Sequence, residues 1–115
     1  MIAAAMANKG SFQGKEILSP SGWEAFHSGS TVDFLFANFP GNFTQGGVAK
    51  FEEPEKAGRD GFYGWFGYGG SIFQWHPEFK IGFGYTPTLM EWYSIDNGKG
   101  KRLQREVVRC IENMK

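Results

Sequence analysis

The chain has 115 residues with 12 basic and 12 acidic side chains, so its formal net charge is zero, and 41% of its residues are hydrophobic. These values are typical of one globular domain and exclude disordered and fibrous chains. Because Lys and Arg are scattered and no apolar run approaches the roughly 18 residues of a spanning helix, we expect neither a nucleic-acid partner nor a membrane span.

Cysteine and histidine are scarce. The lone Cys110 cannot form an internal disulfide, and His27 and His76 have no ligand-like neighbours at helical or turn spacing. We therefore expect no metal and no cofactor. The sequence does not fix the cellular compartment.

The chain opens with a predicted helix. Residues 2–8 are rich in Ala and Met and contain no helix breaker, and Gly10 supplies a stop in the left-handed conformation. Residues 11–18 are predicted to form an extended or turn segment.

A second short helix is predicted near residues 20–27. Two N-terminal caps fit the sequence: Ser19 with Pro20 at the first helical position, or Ser21 with Glu24 closing a capping box.

The middle of the chain shows little periodicity. Residues 28–47 are predicted to be a loop with aromatic anchors, in which Pro40 and Gly41 occupy the centre of a type II turn. Residues 48–52 fit a short strand, and the charged residues 52–60 fit a solvated connection.

Three strands are predicted in the aromatic region. Residues 62–66 and 71–75 have the composition of strands, residues 76–80 turn the chain, and residues 81–85 return. The five aromatic side chains of this region that could form a stacking platform are more simply core and half-buried sheet residues. They are Tyr63, Trp65, Phe73, Trp75 and Trp92.

The C-terminal helix is predicted over residues 99–113. Its apolar positions at helical spacing are Leu103, Val107, Cys110, Ile111 and Met114. This pattern makes Cys110 a small core residue. In the return strand Gly82 and Gly84 share one face, and we expect this helix to lie close against that smooth face.

Together these elements predict an α+β fold: a short antiparallel sheet of about three strands, a C-terminal helix packed on it, and small N-terminal helices beside a long aromatic loop.

Several segments resemble the serine β-lactamase-related family, which includes class C enzymes, penicillin-binding-protein-like transpeptidases and esterases. Residues 66–71, 75–78 and 81–85 are similar to its last active-site strand and hairpin, where Lys-Thr-Gly or His-x-Gly precedes an Asp- or His-Pro turn. Residues 5–20 resemble the family's helix, asparagine-glycine loop and Leu-Ser-Pro helix start. The resemblance spans nearly the whole chain and implies that residues 1–115 are a single partial domain, the C-terminal part of a β-lactamase/transpeptidase-like fold.

The resemblance also implies a site. Paired glycines leave backbone N–H groups uncovered, so that an acyl oxygen can approach and be stabilised as it gains charge. In the family the N–H that follows the final Gly does this, which here is the backbone of Ser71, after Tyr68, Gly69 and Gly70. Tyr68 stands where most members carry Lys or His. Its phenol can contact a substrate but is uncharged at neutral pH, which argues against β-lactam binding in particular.

The family's nucleophile is missing. No Ser is followed by Lys three residues later, and no Tyr or Ser is followed by Asn two residues later. The resemblance therefore implies a C-terminal fragment of a serine hydrolase that acts on a small-molecule amide, lactam or ester only when the N-terminal part is supplied. A truncated gene model ranks first, before a complementing subunit and a pseudoenzyme.

Two rival functions stay open. One is a non-catalytic module whose exposed sheet edge binds a protein partner. The other is a small lectin-like module that stacks a glycan on Trp65 or Trp75.

Overall fold

A computed structural model describes residues 1–35, 39–52, 60–67, 70–89 and 98–114. The protein is α+β, as predicted. Its main sheet has six antiparallel strands in the order β3-β4-β5-β6-β7-β8, and β1 pairs with β2 in a separate hairpin. The elements are α1 (Ile2–Ala7), β1 (Ser11–Phe12), β2 (Lys15–Glu16), α2 (Pro20–His27), β3 (Thr31–Leu35), β4 (Phe39–Phe43), β5 (Ala49–Lys50), β6 (Tyr63–Phe66), β7 (Ile72–His76), β8 (Ile81–Tyr85) and α3 (Gly98–Asn113).

The N-terminal elements form as local chemistry predicts. Gly10 follows α1 with a φ of 97°, and its N–H donates to the Ala5 carbonyl at 2.8 Å. Of the two possible caps of α2, the structure has Ser19: its Oγ accepts from the Gly22 N–H at 3.1 Å, and Pro20 begins the helix.

The loop prediction for residues 28–47 is wrong for much of that segment. Strands β3 and β4 form an antiparallel hairpin there, and Pro40 and Gly41 lie within β4 and not in a type II turn. β5 pairs with β4 at Phe43, and Pro40 is paired on the β3 side alone. A proline is tolerated there because a strand with one paired side can lack an N–H donor on the other. This hairpin enlarges the sheet beyond the predicted three or so strands, and β5 lies within the short strand predicted at residues 48–52, so the sheet has six strands.

The predicted strands of the aromatic region are confirmed. β6, β7 and β8 pair consecutively, with Phe66 opposite Ile72 and His76 opposite Ile81. The turn between β7 and β8 also lies where the sequence places it. Of the predicted charged connection, residues 53–59 lie outside the described residues.

Each face of the sheet carries its own core. On one face α3 covers a cluster of Ala49, Phe51, Phe62 and Ile81. On the other face α1 and α2 pack over Trp75 through Met6, Ala7 and Trp23. Within the described part of the chain, no helix is long and apolar enough to span a membrane.

The close approach to the glycine face is made by a different helix from the one expected. A Cβ on Gly82 would lie 2.6 Å from the Ala4 nitrogen and 2.7 Å from the Ala3 carbonyl carbon, so α1 lies against this strand. The alternation itself is as predicted, because Ile81 and Phe83 point to the α3 side. The Ala-rich sequence of α1 allows this close contact, whereas the longer side chains of α3 need the thicker layer on the opposite face.

The orientation of α3 also corrects the prediction. Gly100 and Gln104 are buried, and Val107, Val108 and Ile111 pack on the sheet. Cys110, predicted to be a core residue, is exposed, and so are Leu103 and Met114 at 51% and 84%. The apolar arc of α3 is wider than its contact with the sheet, so spacing alone did not determine which part is buried.

Candidate functional site

A cleft of about 380 Å³ opens at one end of the sheet, beside the connection between β6 and β7. Strands β6, β7 and β8 supply its walls. Its lining residues are Trp65, Gly67, Ser71, Ile72, Phe73, Gly84, Tyr85 and Thr86. Ser71, the predicted oxyanion donor, is therefore part of the cleft.

Two backbone hydrogen bonds join the described ends of the β6–β7 connection. The Gly67 N–H donates to the Ser71 carbonyl at 2.8 Å, and the Gly70 N–H donates to the Gly67 carbonyl at 3.2 Å. Gly70 has a φ of 109°, which lies in the range that favours glycine. These bonds continue the contact between the two strands beyond the last paired residues, Phe66 and Ile72.

The two candidate amides differ in availability. The Gly70 N–H is occupied within the connection, so it does not stay uncovered as the paired glycines suggested. Among the hydrogen bonds of the described residues, the Ser71 N–H donates to no backbone carbonyl. Tyr68 and Gly69, the other two predicted site residues, lie outside the described residues.

The walls of the cleft are aromatic and partly exposed. Trp65 and Phe73 are opposite each other in the β6–β7 register, and their side chains are 40% and 45% exposed. On β8, Gly84 pairs with Phe73, and no atom lies within 4 Å of where a Cβ on Gly84 would be. The glycine thus leaves open space beside Phe73.

A buried pair of amides supports this wall from behind. The Gln74 Nε2 donates to the Trp65 carbonyl at 3.5 Å, and the Gln104 Nε2 of α3 donates to the Gln74 Oε1 at 2.6 Å. Both glutamine side chains are fully buried. The contact ties α3 to the strand backbone next to the cleft.

The cleft has polar groups but little charge. Its described lining contains the hydroxyls of Ser71 and Thr86 and the phenol of Tyr85, and no Lys, Arg, Asp, Glu or His. The low polarity strengthens any hydrogen bond made inside it.

The other aromatic side chains of the sheet have structural roles, as the sequence favoured. Trp75 is 2% exposed and Tyr63 packs against its cluster. Trp75 is not available for stacking a glycan, because it is covered and its indole N–H is bound within the protein. Trp92 lies outside the described residues.

His27 holds a buried connection that the sequence did not reveal. The Trp75 Nε1–H donates to the His27 Nε2 at 2.8 Å, and because an indole only donates, Nε2 must be unprotonated. The His27 Nδ1–H then donates to the Trp23 carbonyl, also at 2.8 Å. Desolvation by burial lowers the pKa of His27, which favours this neutral form. The only signal in the sequence is the spacing of four between Trp23 and His27.

His76 acts similarly at the turn between β7 and β8. Its Nδ1 accepts from the Phe79 N–H at 3.1 Å, so its Nε2–H donates to the Asp60 carbonyl at 3.2 Å. Burial lowers the pKa of His76 as well. Neither histidine lines the cleft, so neither is placed to act as a general base there.

The described residues contain no group of three or more His, Cys, Asp or Glu side chains that could hold a metal ion. No protein-family model, no curated protein and no solved structure matches the chain.

Proposed function

We propose that this chain forms the substrate-side wall of a serine β-lactamase-related hydrolase, which transfers the acyl group of an amide, lactam or ester. The attacking hydroxyl would come from a segment or subunit that carries Ser-x-x-Lys, since this sequence contains none. By itself the chain would be inactive.

The observation that supports the proposal most is the position of Ser71. Ser71 belongs to the lining of the cleft, just before β7, and among the described residues its N–H donates to no backbone carbonyl. When a nucleophile adds to an acyl carbon, the carbonyl oxygen gains negative charge, and the Ser71 N–H could donate to it. Removing one such donor slows enzymes by about 10²- to 10³-fold, so one well-placed amide is a substantial part of a site.

Surface exposure gives a second line of support. Leu103 on α3 and Met114 just after it leave an apolar stripe uncovered, and among the described strands β8 lies at an edge of the sheet. Exposed apolar stripes and unpaired strand edges favour contact with another part of a protein. They fit a chain that completes a larger domain.

Two substitutions at one position test the role of the amide. Ser71→Pro removes the N–H, whereas Ser71→Ala keeps it and removes only the hydroxyl. We expect a simple ester to shift the Ser71 amide proton downfield in an NMR titration of the wild-type chain. Binding should persist in Ser71→Ala and disappear in Ser71→Pro.

Melting curves show whether each variant is folded. If folded Ser71→Pro binds the ester as tightly as the wild type, the amide has no role. If Ser71→Pro does not fold, the wild-type titration decides, because an unmoved Ser71 amide proton contradicts the proposal.

A second experiment concerns the missing nucleophile. We expect no turnover of a chromogenic lactam or a short-chain ester by the pure 115-residue chain. The transcript upstream of the Met1 codon should encode an in-frame Ser-x-x-Lys. Turnover by the pure chain would overturn the proposed division of the site.

A non-catalytic protein-interaction module, or a pseudoenzyme that has become one, is the alternative. The exposed stripe on α3 favours it, because Leu103, Cys110 and Met114 need no acyl chemistry to bind a partner. Under this alternative a purified chain binds a protein partner, and Ser71→Pro leaves that binding unchanged.

A further inference from the structure

The charge and shape of the cleft narrow the class of acyl compound that it can hold. Resting on the proposed function, we infer that the cleft takes uncharged acyl compounds that carry an aromatic ring and discriminates against anionic compounds of similar shape.

The first argument is the absence of a counter-charge. No Lys, Arg or His is among the described lining residues, and the partly exposed Trp65 and Phe73 present apolar surface instead. A carboxylate that enters such a cleft loses water and gains no cation, which is strongly unfavourable. An ester or amide loses far less on entry, because it is neutral.

The second argument is the form of the walls. Trp65 and Phe73 are opposed across β6 and β7, and Gly84 leaves open space beside Phe73. A flat ring can enter this space and contact the aromatic side chains, whose packing with another ring is favourable. A cavity of about 150 Å³ is large enough for benzene. The cleft, at about 380 Å³, has room for a ring and the ester group attached to it.

The third argument is the position of the polar groups. Ser71 and Thr86, whose hydroxyl groups can donate hydrogen bonds, belong to the same lining as the aromatic walls. They match the acyl oxygens of an ester or amide, which accept hydrogen bonds. The ring and the acyl oxygens of one small molecule could thus be bound together.

Three matched ligands test the inference: methyl phenylacetate, phenylacetate and methyl acetate. Each is titrated into the full chain, and NMR follows the Trp65 indole and the backbone amides of Ser71 and Phe73. We expect methyl phenylacetate to bind at least about tenfold more tightly than phenylacetate, because the carboxylate is desolvated without a partner. Methyl acetate should also bind more weakly, since it lacks the ring.

Variants separate the two determinants. Phe73→Ala should reduce the preference for methyl phenylacetate over methyl acetate. Leu89→Ala, at a position that is 72% exposed and outside the cleft, should leave it unchanged. Thr86→Lys places a cation at the cleft and should raise the affinity for phenylacetate relative to its ester.

The outcomes distinguish this inference from the proposed function. If phenylacetate binds as tightly as methyl phenylacetate while the Ser71 amide responds, the charge preference is overturned and the proposed function stands. If methyl acetate equals methyl phenylacetate, the aromatic preference is overturned. If no ligand moves the Ser71 amide, the proposed function itself is contradicted.

Discussion

His27 stabilises the fold through hydrogen bonds at both of its ring nitrogens. It joins α2 to β7, because one ring nitrogen accepts from Trp75 and the other donates to Trp23. Its ring is also stacked on Trp23, with centroids 3.9 Å apart. A proton on Nε2 would remove the only acceptor for the buried indole N–H and place a charge in an apolar cluster.

The pH dependence of stability follows from this arrangement. The folded protein lowers the pKa of His27 by desolvation, so below an unfolded value of about 6.5 the unfolded chain binds more protons than the folded one. The contribution of neutral His27 to the free energy of unfolding should be complete above that value and should decrease as the pH falls below it. His76 has a lowered pKa for the same reason and adds to the effect.

Urea denaturation between pH 5 and pH 8 measures this dependence. Variants in which the histidines are replaced by side chains that do not titrate show how much of it the histidines cause. His27→Gln can offer an oxygen near the position of Nε2, and His76→Asn can offer one near the position of Nδ1, but neither titrates. The double variant should show a flatter profile than the wild type between about pH 5 and 7. If the slope of the free energy of unfolding against pH is the same in the double variant as in the wild type, groups other than these histidines cause the dependence.

At the scale of elements, the close contact of α1 with β8 depends on one missing methyl group. The site of a Cβ on Gly82 is only 2.6 Å from backbone of α1, at Ala4, whereas a Cβ on Gly84 would meet nothing. The two glycines are two residues apart in the same strand, so they share its backbone geometry and differ in what covers them.

We therefore expect Gly82→Ala to destabilise the protein by about 1–3 kcal/mol, the range typical of overpacking, because backbone atoms of α1 must move. Gly84→Ala should change stability by less than about 0.5 kcal/mol, as at an open surface position. Urea denaturation of both variants provides the comparison. Equal effects would show that α1 does not lie against Gly82.

The orientation of α3 shows how contact selects among apolar positions. Val107, Val108 and Ile111 lie against the sheet, while Leu103 and Cys110 lie on the flank of the same arc. Helical spacing identified the arc but could not determine its buried part, since polar Gln104 lies at the centre of the contact. Pairing with Gln74 satisfies the Nε2 of that glutamine, while its Oε1 is buried without a hydrogen-bond partner among the described residues.

At the scale of the whole molecule, apolar side chains remain exposed on several elements. Val32 on β3, Leu103 on α3, Met114 just after it, and Leu89 after β8 are between 51% and 84% exposed. Scattered exposed side chains are ordinary, but an apolar stripe along a helix favours association.

The isolated chain should therefore associate with itself as its concentration rises. Leu103→Glu combined with Met114→Glu should shift sedimentation toward the monomer, because it places charge on the stripe. Asn113→Glu, also exposed on α3, adds a carboxylate outside the stripe and should have little effect. A wild-type chain that stays monomeric at high concentration and melts cooperatively would contradict this expectation.

The elements that local chemistry controls are readable from the sequence. The cap of α2 at Ser19, the glycine that follows α1 and the strand–turn–strand from β7 to β8 all depend on residues close together in the chain. The composition and order of these elements were enough for the α+β class. The resemblance also directed attention to Ser71, which the structure places in a cleft.

Features that depend on distant partners emerge only in the folded protein. The segment that forms β3 and β4 shows no clear alternation of apolar and polar residues. Its strands are defined by the hydrogen bonds that each makes with the other. Three further contacts are between residues far apart in sequence. They are the packing of α1 on Gly82, the burial of one side of α3, and the hydrogen bond between Trp75 and His27. Propensity and periodicity act over a few residues, whereas burial is shared between surfaces that meet only after folding.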